Sequence, residues 1–111
     1  MDLFVYGELC KPTVLLAVIG RVPSAEPALL PGYRRILDRD SGYFRAEPRD
    51  HGVVAGLLLA ALDDVEMATL DEFENVGGGE YHRVEVEVKT LTEGPRRSAW
   101  AYVTPWERAH P

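Results

Sequence analysis

The chain carries a single cysteine, Cys10, so no disulfide can form within it and no oxidising compartment is implied. Positive charge is also scarce. Twelve Lys and Arg side chains stand against eighteen Asp and Glu, for a net charge of −6. Nucleic acid and anionic membrane both require a basic footprint, so neither is expected as a partner. Long apolar runs are missing too. The longest stretch without a formal charge is His51–Leu62, far short of the roughly 20 apolar residues of a spanning helix. Val14–Gly20 followed by Val22-Pro23-Ser24-Ala25 has the outline of a signal peptide. Asp2, Glu8 and Lys11 break the basic start and the unbroken apolar run that such a segment needs. A cytoplasmic protein is expected.

Most catalytic signatures are absent as well. There is no glycine-rich phosphate loop, no Gly-x-Ser-x-Gly and no paired-cysteine zinc pattern. His51, His82 and His110 are scattered without ligand spacing, so no metal site is expected. Cys10 with a distant histidine could form a nucleophile pair, but a lone cysteine is more often a small buried hydrophobe.

What the chain does have is an ordinary globular composition: 111 residues, 46% hydrophobic and 27% charged. That fits one domain over residues 1–111 with a core of its own. Leu3-Phe4-Val5-Tyr6, stopped by Gly7, reads as a strand buried on both faces. Pro12 starts a short helix through Thr13–Ile19 that Gly20 ends. Arg21–Gly52, rich in proline and glycine, reads as mostly loop, with a short strand near Tyr33–Leu37. Val53–Leu62 is a second buried strand in which Gly52 and Gly56 admit a close backbone. Asp63–Val76 is the clearest helix, with a capping box between Asp63 and Glu66, and Gly77-Gly78-Gly79 stops it. Val84, Val86 and Val88 alternate with Glu85, Glu87 and Lys89, a strand with one wet face. Ala99–Val103 is its antiparallel partner across the turn at Glu93-Gly94-Pro95. The fold class is therefore α+β: a strongly curved or closed sheet flanked by two short helices. Charges along Glu85–Lys89 discourage edge pairing between copies, so a monomer or weak homodimer is expected.

Five arginines between Arg34 and Arg49 are interleaved with Asp38, Asp40, Glu47 and Asp50, which reads as a solvated mixed-charge loop. One carboxylate stands apart. Met67, Leu70 and Phe73 share one face of the second helix, and Glu74 projects into that stripe while Glu72 points away. A carboxylate facing a core is disfavoured unless paired or neutral, and desolvation raises its pKa toward the range useful for proton transfer. Two readings remain open from the wheel. Either Glu74 is a proton carrier, or the helix frays at Asn75 and Glu74 turns outward or pairs with Arg83.

Leu3-Phe4-Val5-Tyr6-Gly7-Glu8-Leu9 resembles the opening motif of the γ-glutamylcyclotransferase family, usually Val-Tyr-Gly-Ser/Thr-Leu. Leu70-Asp71-Glu72-Phe73-Glu74, followed by Tyr81-His82-Arg83 and the alternating valine strand, is similar to its second motif. Gly32-Tyr33 and Val54-Ala55-Gly56-Leu57-Leu58 match the usual spacers, so the resemblance runs from Leu3 to Val103. The short length is closer to the γ-glutamylamine cyclotransferase and avirulence-induced-gene-like branch. The resemblance implies a small mixed β-barrel flanked by short helices, no cofactor, and a small γ-glutamyl substrate. Its α-amine attacks its own γ-carbonyl, yielding 5-oxoproline and a free amine or amino acid. By the same resemblance Glu74 stands at the catalytic glutamate, and Tyr6, Gly7, Glu8 and Leu9 stand where backbone amides bind the substrate's α-carboxylate. Tyr81 is a candidate donor to the γ-carbonyl oxygen, or else a core aromatic with a wet hydroxyl.

Three positions depart from the family pattern. Glu8 replaces a small hydroxyl residue. If it points inward it would repel an anionic substrate group by about 1–4 kcal/mol at ~4 Å. Asn75 replaces a common glycine, a mild change because asparagine tolerates the left-handed conformation. Phe44-Arg45 stands where many members have Tyr-Pro. Glu74 favours a γ-glutamyl-cleaving enzyme. Glu8 favours the alternative, a catalytically weak module that binds a small ligand or a partner in the same pocket.

Overall fold

Five strands and two helices make up the computed structural model of the chain, which describes residues 1–92 and 94–105. In chain order they are β1 (Leu3–Val5), α1 (Pro12–Ile19), β2 (Ala25–Leu37), β3 (Phe44–Leu59), α2 (Asp64–Phe73), β4 (His82–Thr90) and β5 (Arg97–Val103). A 3₁₀ turn at Glu8–Cys10 joins β1 to α1. The sheet is a closed barrel in the order β1-β3-β2-β4-β5. All neighbours are antiparallel except β1 and β5, which run parallel with Leu3 opposite Trp100. The mixed barrel with two flanking helices is the architecture expected from the sequence.

Side-chain alternation on β1 explains why it is apolar at every position. Phe4 points into the barrel, against Leu30, Val54, Leu58 and Val88. Leu3 and Val5 point outward and are covered by Leu15 of α1 and by Met67 and Leu70 of α2. Each fully buried side chain of this size contributes roughly 1.5–3 kcal/mol. Gly56 lets β3 pass behind β1: a Cβ there would lie 2.1 Å from the Val5 carbonyl oxygen and 2.8 Å from the Phe4 ring. Gly56→Ala is accordingly expected to destabilise the fold by about 2–3 kcal/mol, seen as a fall in Tm of roughly 10 °C.

The segment read as mostly loop is instead a long hairpin. β2 pairs with β3 from Ala25↔Leu59 to Leu37↔Phe44, so the short strand expected at Tyr33–Leu37 is only the end of β2. The prolines misled because they sit where the ladder tolerates them. Pro27 presents its carbonyl to Leu91 N–H on the β4 side, so its ring nitrogen takes no bond away from β3. Pro31 borders an irregularity at which Gly32, with φ +84°, stands opposite residues 49–52. Gly52 is needed there because a Cβ would lie 2.5 Å from the Tyr33 carbonyl oxygen.

Both helices begin as expected. Pro12 occupies the first turn of α1 and Gly20 ends it at φ +79°, and Asp63 and Glu66 form a reciprocal capping box on α2. α2 stops at Phe73, three residues before the expected Val76 and ahead of the glycine triplet. Asn75, at φ +54°, does the stopping. Its N–H donates to the Glu72 carbonyl and that of Val76 to the Asp71 carbonyl, the two bonds of a Schellman cap. β4 pairs with β5 along its length and with β2 at Ala28↔Thr90 and Leu29↔Lys89, so Lys89 is not on an open edge as expected. His51 and His82 are exposed on β3 and β4. His110 and Glu93 of the expected turn lie outside the described residues. Among the described residues no helix is long and apolar enough to cross a membrane.

Candidate active site

Where β1 ends, its chain leaves the barrel through Tyr6 and Gly7 and enters the 3₁₀ turn. That turn closes with Cys10 N–H donating to the Gly7 carbonyl and Lys11 N–H to the Glu8 carbonyl, at 2.9 and 3.0 Å. The amides of Glu8 and Leu9 therefore have no acceptor within the turn. Here a cavity of about 280 Å³ opens, with Tyr6, Gly7, Glu8, Leu9, Glu74 and Tyr81 all in its wall. The structure thus brings together the six residues that the resemblance marks out. The β2–β3 hairpin adds Ser41, Tyr43 and Phe44 to the wall, the end of α2 adds Phe73, and the loop after α2 adds Glu80.

Glu74 follows the last helical residue of α2, and its N–H still donates to the Leu70 carbonyl. The cap places its half-buried side chain in the cavity wall. Burial is the main force on its carboxyl group, with the neighbouring Glu8 adding to it and Arg45 opposing it. The pKa is pushed up from the ordinary 4.5 to about 7. Such a group is poised to take and return a proton near neutral pH. The pairing with Arg83 considered above does not form; Arg83 pairs with Asp71 at 2.9 Å. Phe73, expected in the core stripe with Met67 and Leu70, is instead 46% exposed at the cavity mouth, because the helix ends there.

Glu8 does not turn wholly away. Its carboxylate accepts from Lys11 Nζ at 3.0 Å, yet it borders the cavity and bears on Glu74. Tyr81 is buried and donates its hydroxyl proton to the Phe44 carbonyl at 2.9 Å, so that proton is already engaged and not aimed at a ligand. Burial pushes its own pKa up to about 12. Tyr6 donates to the Tyr102 carbonyl; its hydroxyl too is held protonated by burial. Cys10 is half-buried against the helix-side core, and burial raises its thiol pKa, the opposite of an activated nucleophile.

Arg45 is the residue that sequence reasoning missed. It is 3% exposed, not part of a solvated loop. Its Nε donates to Asp38 at 2.7 Å, and its Nη1 to the Glu80 carbonyl at 2.9 Å. Its Nη2 donates to the Glu80 carboxylate. The guanidinium also lies over the Tyr81 ring, 4.8 Å from its centroid. One buried cation thus ties the hairpin to the loop after α2, on either side of the cavity. The nearby Asp38 and the matching Arg34–Glu47 pair on facing strands were the available signal, but Glu80 is 35 residues away.

Comparison with known proteins agrees with this fold. The family model described as "Gamma-glutamyl cyclotransferase, AIG2-like" matches residues 3–111. The chain is similar to AIG2-like protein C of Arabidopsis thaliana, 37% identical over 102 residues, covering 92% of this chain and 58% of that protein. The chain spans between about a third and three fifths of the length of the curated relatives it matches. An Arabidopsis thaliana protein of known solution structure is 28% identical with a TM-score of 0.85, over 96% of this chain and 69% of the other. A structure named "Gamma-glutamyl cyclotransferase" shares the fold at 21% identity and a TM-score of 0.78, over 94% of this chain and 66% of that one.

Proposed function

The chain belongs to the AIG2-like gamma-glutamyl cyclotransferase family, and on that premise we propose that it converts a γ-glutamyl amide into 5-oxoproline and a free amine, with Glu74 as the proton carrier. The observation that carries this reading is the half-buried Glu74 in the wall of a cavity of about 280 Å³, where burial pushes its pKa up to about 7. The reaction is intramolecular. The substrate's α-nitrogen attacks its γ-carbonyl carbon, closing a five-membered ring, and the bond from that carbon to the leaving nitrogen then breaks. The α-ammonium loses two of its three protons, one before attack and one as the ring nitrogen becomes an amide. Ionised Glu74 relays them in turn to the leaving nitrogen, which departs as an ammonium while Glu74 ends ionised as it began. No nucleophile from the protein is required, which suits a cavity that among the described residues holds no serine–histidine or activated cysteine pair. The remaining work is to fold the γ-glutamyl chain into a near-attack conformer, where positioning contributes several kcal/mol.

The Glu8 and Leu9 amides supply donors for the α-carboxylate without a formal positive charge. A protein of net charge −6 offers no long-range attraction to an anion, so local donors must hold it. Glu8 itself supports a second reading, a ligand-binding module of weak or absent activity, since its carboxylate borders the same space. Incubation with a panel of γ-glutamyl amides, following 5-oxoproline, tests the first reading. Release by the wild type is the expected result. If neither the wild type nor Glu8→Thr releases any, the binding module is the better account.

A further inference from the structure

Three of the chain's exposed large apolar side chains gather at the cavity. Tyr43 and Phe44, from the hairpin, are 55% and 39% exposed, and Phe73, from the end of α2, is 46% exposed. They come from elements far apart in sequence, so their convergence is a product of the fold. Exposed aromatics that line one opening are a feature of binding sites. Charge narrows what they would bind. Among the described residues, no Lys, Arg or His side chain lines the cavity, whereas Glu8 and Glu80 both do. Of the cations nearby, Lys11 is engaged on Glu8 and Arg45 on Glu80 and Asp38. Arg35, outside the cavity wall, donates to the Tyr6 carbonyl and lies over the Phe44 ring, 4.3 Å from its centroid.

Resting on the function proposed above, we infer that the leaving group is an arylalkyl amine without a carboxylate. With the Tyr6–Leu9 segment holding the glutamyl end and Glu74 beside both nitrogens, the leaving nitrogen's substituent is left the side of the wall formed by Tyr43 and Phe73, since Phe44 lies against Gly7, where a Cβ would be 3.8 Å from the Phe44 Cβ. An aromatic ring there exchanges water for aromatic faces and edges. A carboxylate in the same place would be desolvated beside Glu8 and Glu80, with no cation in the described wall of the cavity to pair it. The chemistry is balanced by the substrate alone. The C–N bond to the arylalkyl nitrogen breaks, the ring C–N bond forms, and two of the three α-ammonium protons end on the departing amine, which leaves as its ammonium.

Three substrates separate the two halves of this inference: γ-glutamyl ethylamide, γ-glutamyl phenethylamide and γ-glutamyl phenylalanine. The first pair differs by the ring, the second by the carboxylate. Expected is a kcat/KM for the phenethylamide at least about tenfold above each of the others, equivalent to about 1.4 kcal/mol. Phe73→Ser and Tyr43→Ser, both at exposed positions, should each bring the phenethyl-to-ethyl ratio toward one. Equal values for the ethyl and phenethyl amides, equal or faster turnover of γ-glutamyl phenylalanine, or a ratio untouched by both variants overturns the inference and leaves the cyclotransferase reading standing. No 5-oxoproline from any substrate overturns that reading instead. Calorimetry with Glu74→Gln then decides on the mouth alone. Tighter binding of the phenethylamide than the ethylamide supports the aromatic subsite, and equal binding removes it.

Discussion

Glu74→Gln is expected to lower the rate of 5-oxoproline release by about 10²–10⁴-fold and, at the same time, to make the protein more stable above neutral pH. The two effects have one physical origin. The carboxyl group is half-buried, and its pKa is raised from 4.5 to about 7 because burial disfavours the ionised form. In the unfolded chain the same group ionises freely near its ordinary value. Between those two pH values the unfolded state therefore binds fewer protons than the folded one. Stability falls as pH rises through this window, and is fully restored below it. Glutamine does not titrate, so the variant escapes the penalty. With partial solvent screening discounted, its advantage at pH 8 should be about 2 kcal/mol, fading toward pH 4. Urea melts of both proteins at pH 4, 6 and 8 measure it. An inactive variant that melts lower at pH 8 would mean that the substitution had damaged the fold. Undiminished activity would remove Glu74 from the mechanism. In the wild type, kcat/KM should rise with pH through a limb near 7 as Glu74 becomes able to accept a proton.

How much of this was legible in the sequence depended on how local each cause is. The capping box of α2 involves Asp63 and Glu66, one helical turn apart, and the stop of α1 involves Gly20 alone. The alternating valines of β4 need only the sheet's two-residue period. These elements, together with the barrel that short strands and two helices imply, were readable. The hairpin was not, because whether a proline breaks a strand depends on which side its nitrogen faces. Pro27 and Pro31 declare that only once β4 and residues 49–52 are in place. Glu74 was readable as an oddity on a helical wheel. Its exposure to a cavity depended on Asn75 ending the helix, and Phe73 was misplaced for the same reason. Composition also misdirected the reading of the arginines. Interleaved charges such as those of residues 34–50 usually solvate one another, and nothing local distinguishes Arg45 from Arg39 or Arg49.

Arg45→Met is expected to have two separable consequences, and Arg45→Lys tells them apart. The guanidinium is buried and holds Asp38, the Glu80 carbonyl and the Glu80 carboxylate at once. Removing it takes away this link between the hairpin and the loop after α2, and with it the guanidinium that holds the Asp38 carboxylate below its usual pKa. A loss of about 2–3 kcal/mol is expected, a fall in Tm of roughly 10 °C. The second consequence is electrostatic. Arg45 is the group that lowers the Glu74 pKa against burial and Glu8. Without it that pKa rises further, and the limb of kcat/KM near pH 7 moves to higher pH, so activity at pH 7 falls more than activity at pH 9. Lysine keeps the positive charge but lacks the planar fork that reaches both partners. Arg45→Lys should therefore lose most of the stability while leaving the limb near its original pH. A limb that stays in place in Arg45→Met, assayed well below its Tm, would reduce Arg45 to a structural clamp. A shift in both variants would mean that geometry rather than charge sets the titration of Glu74.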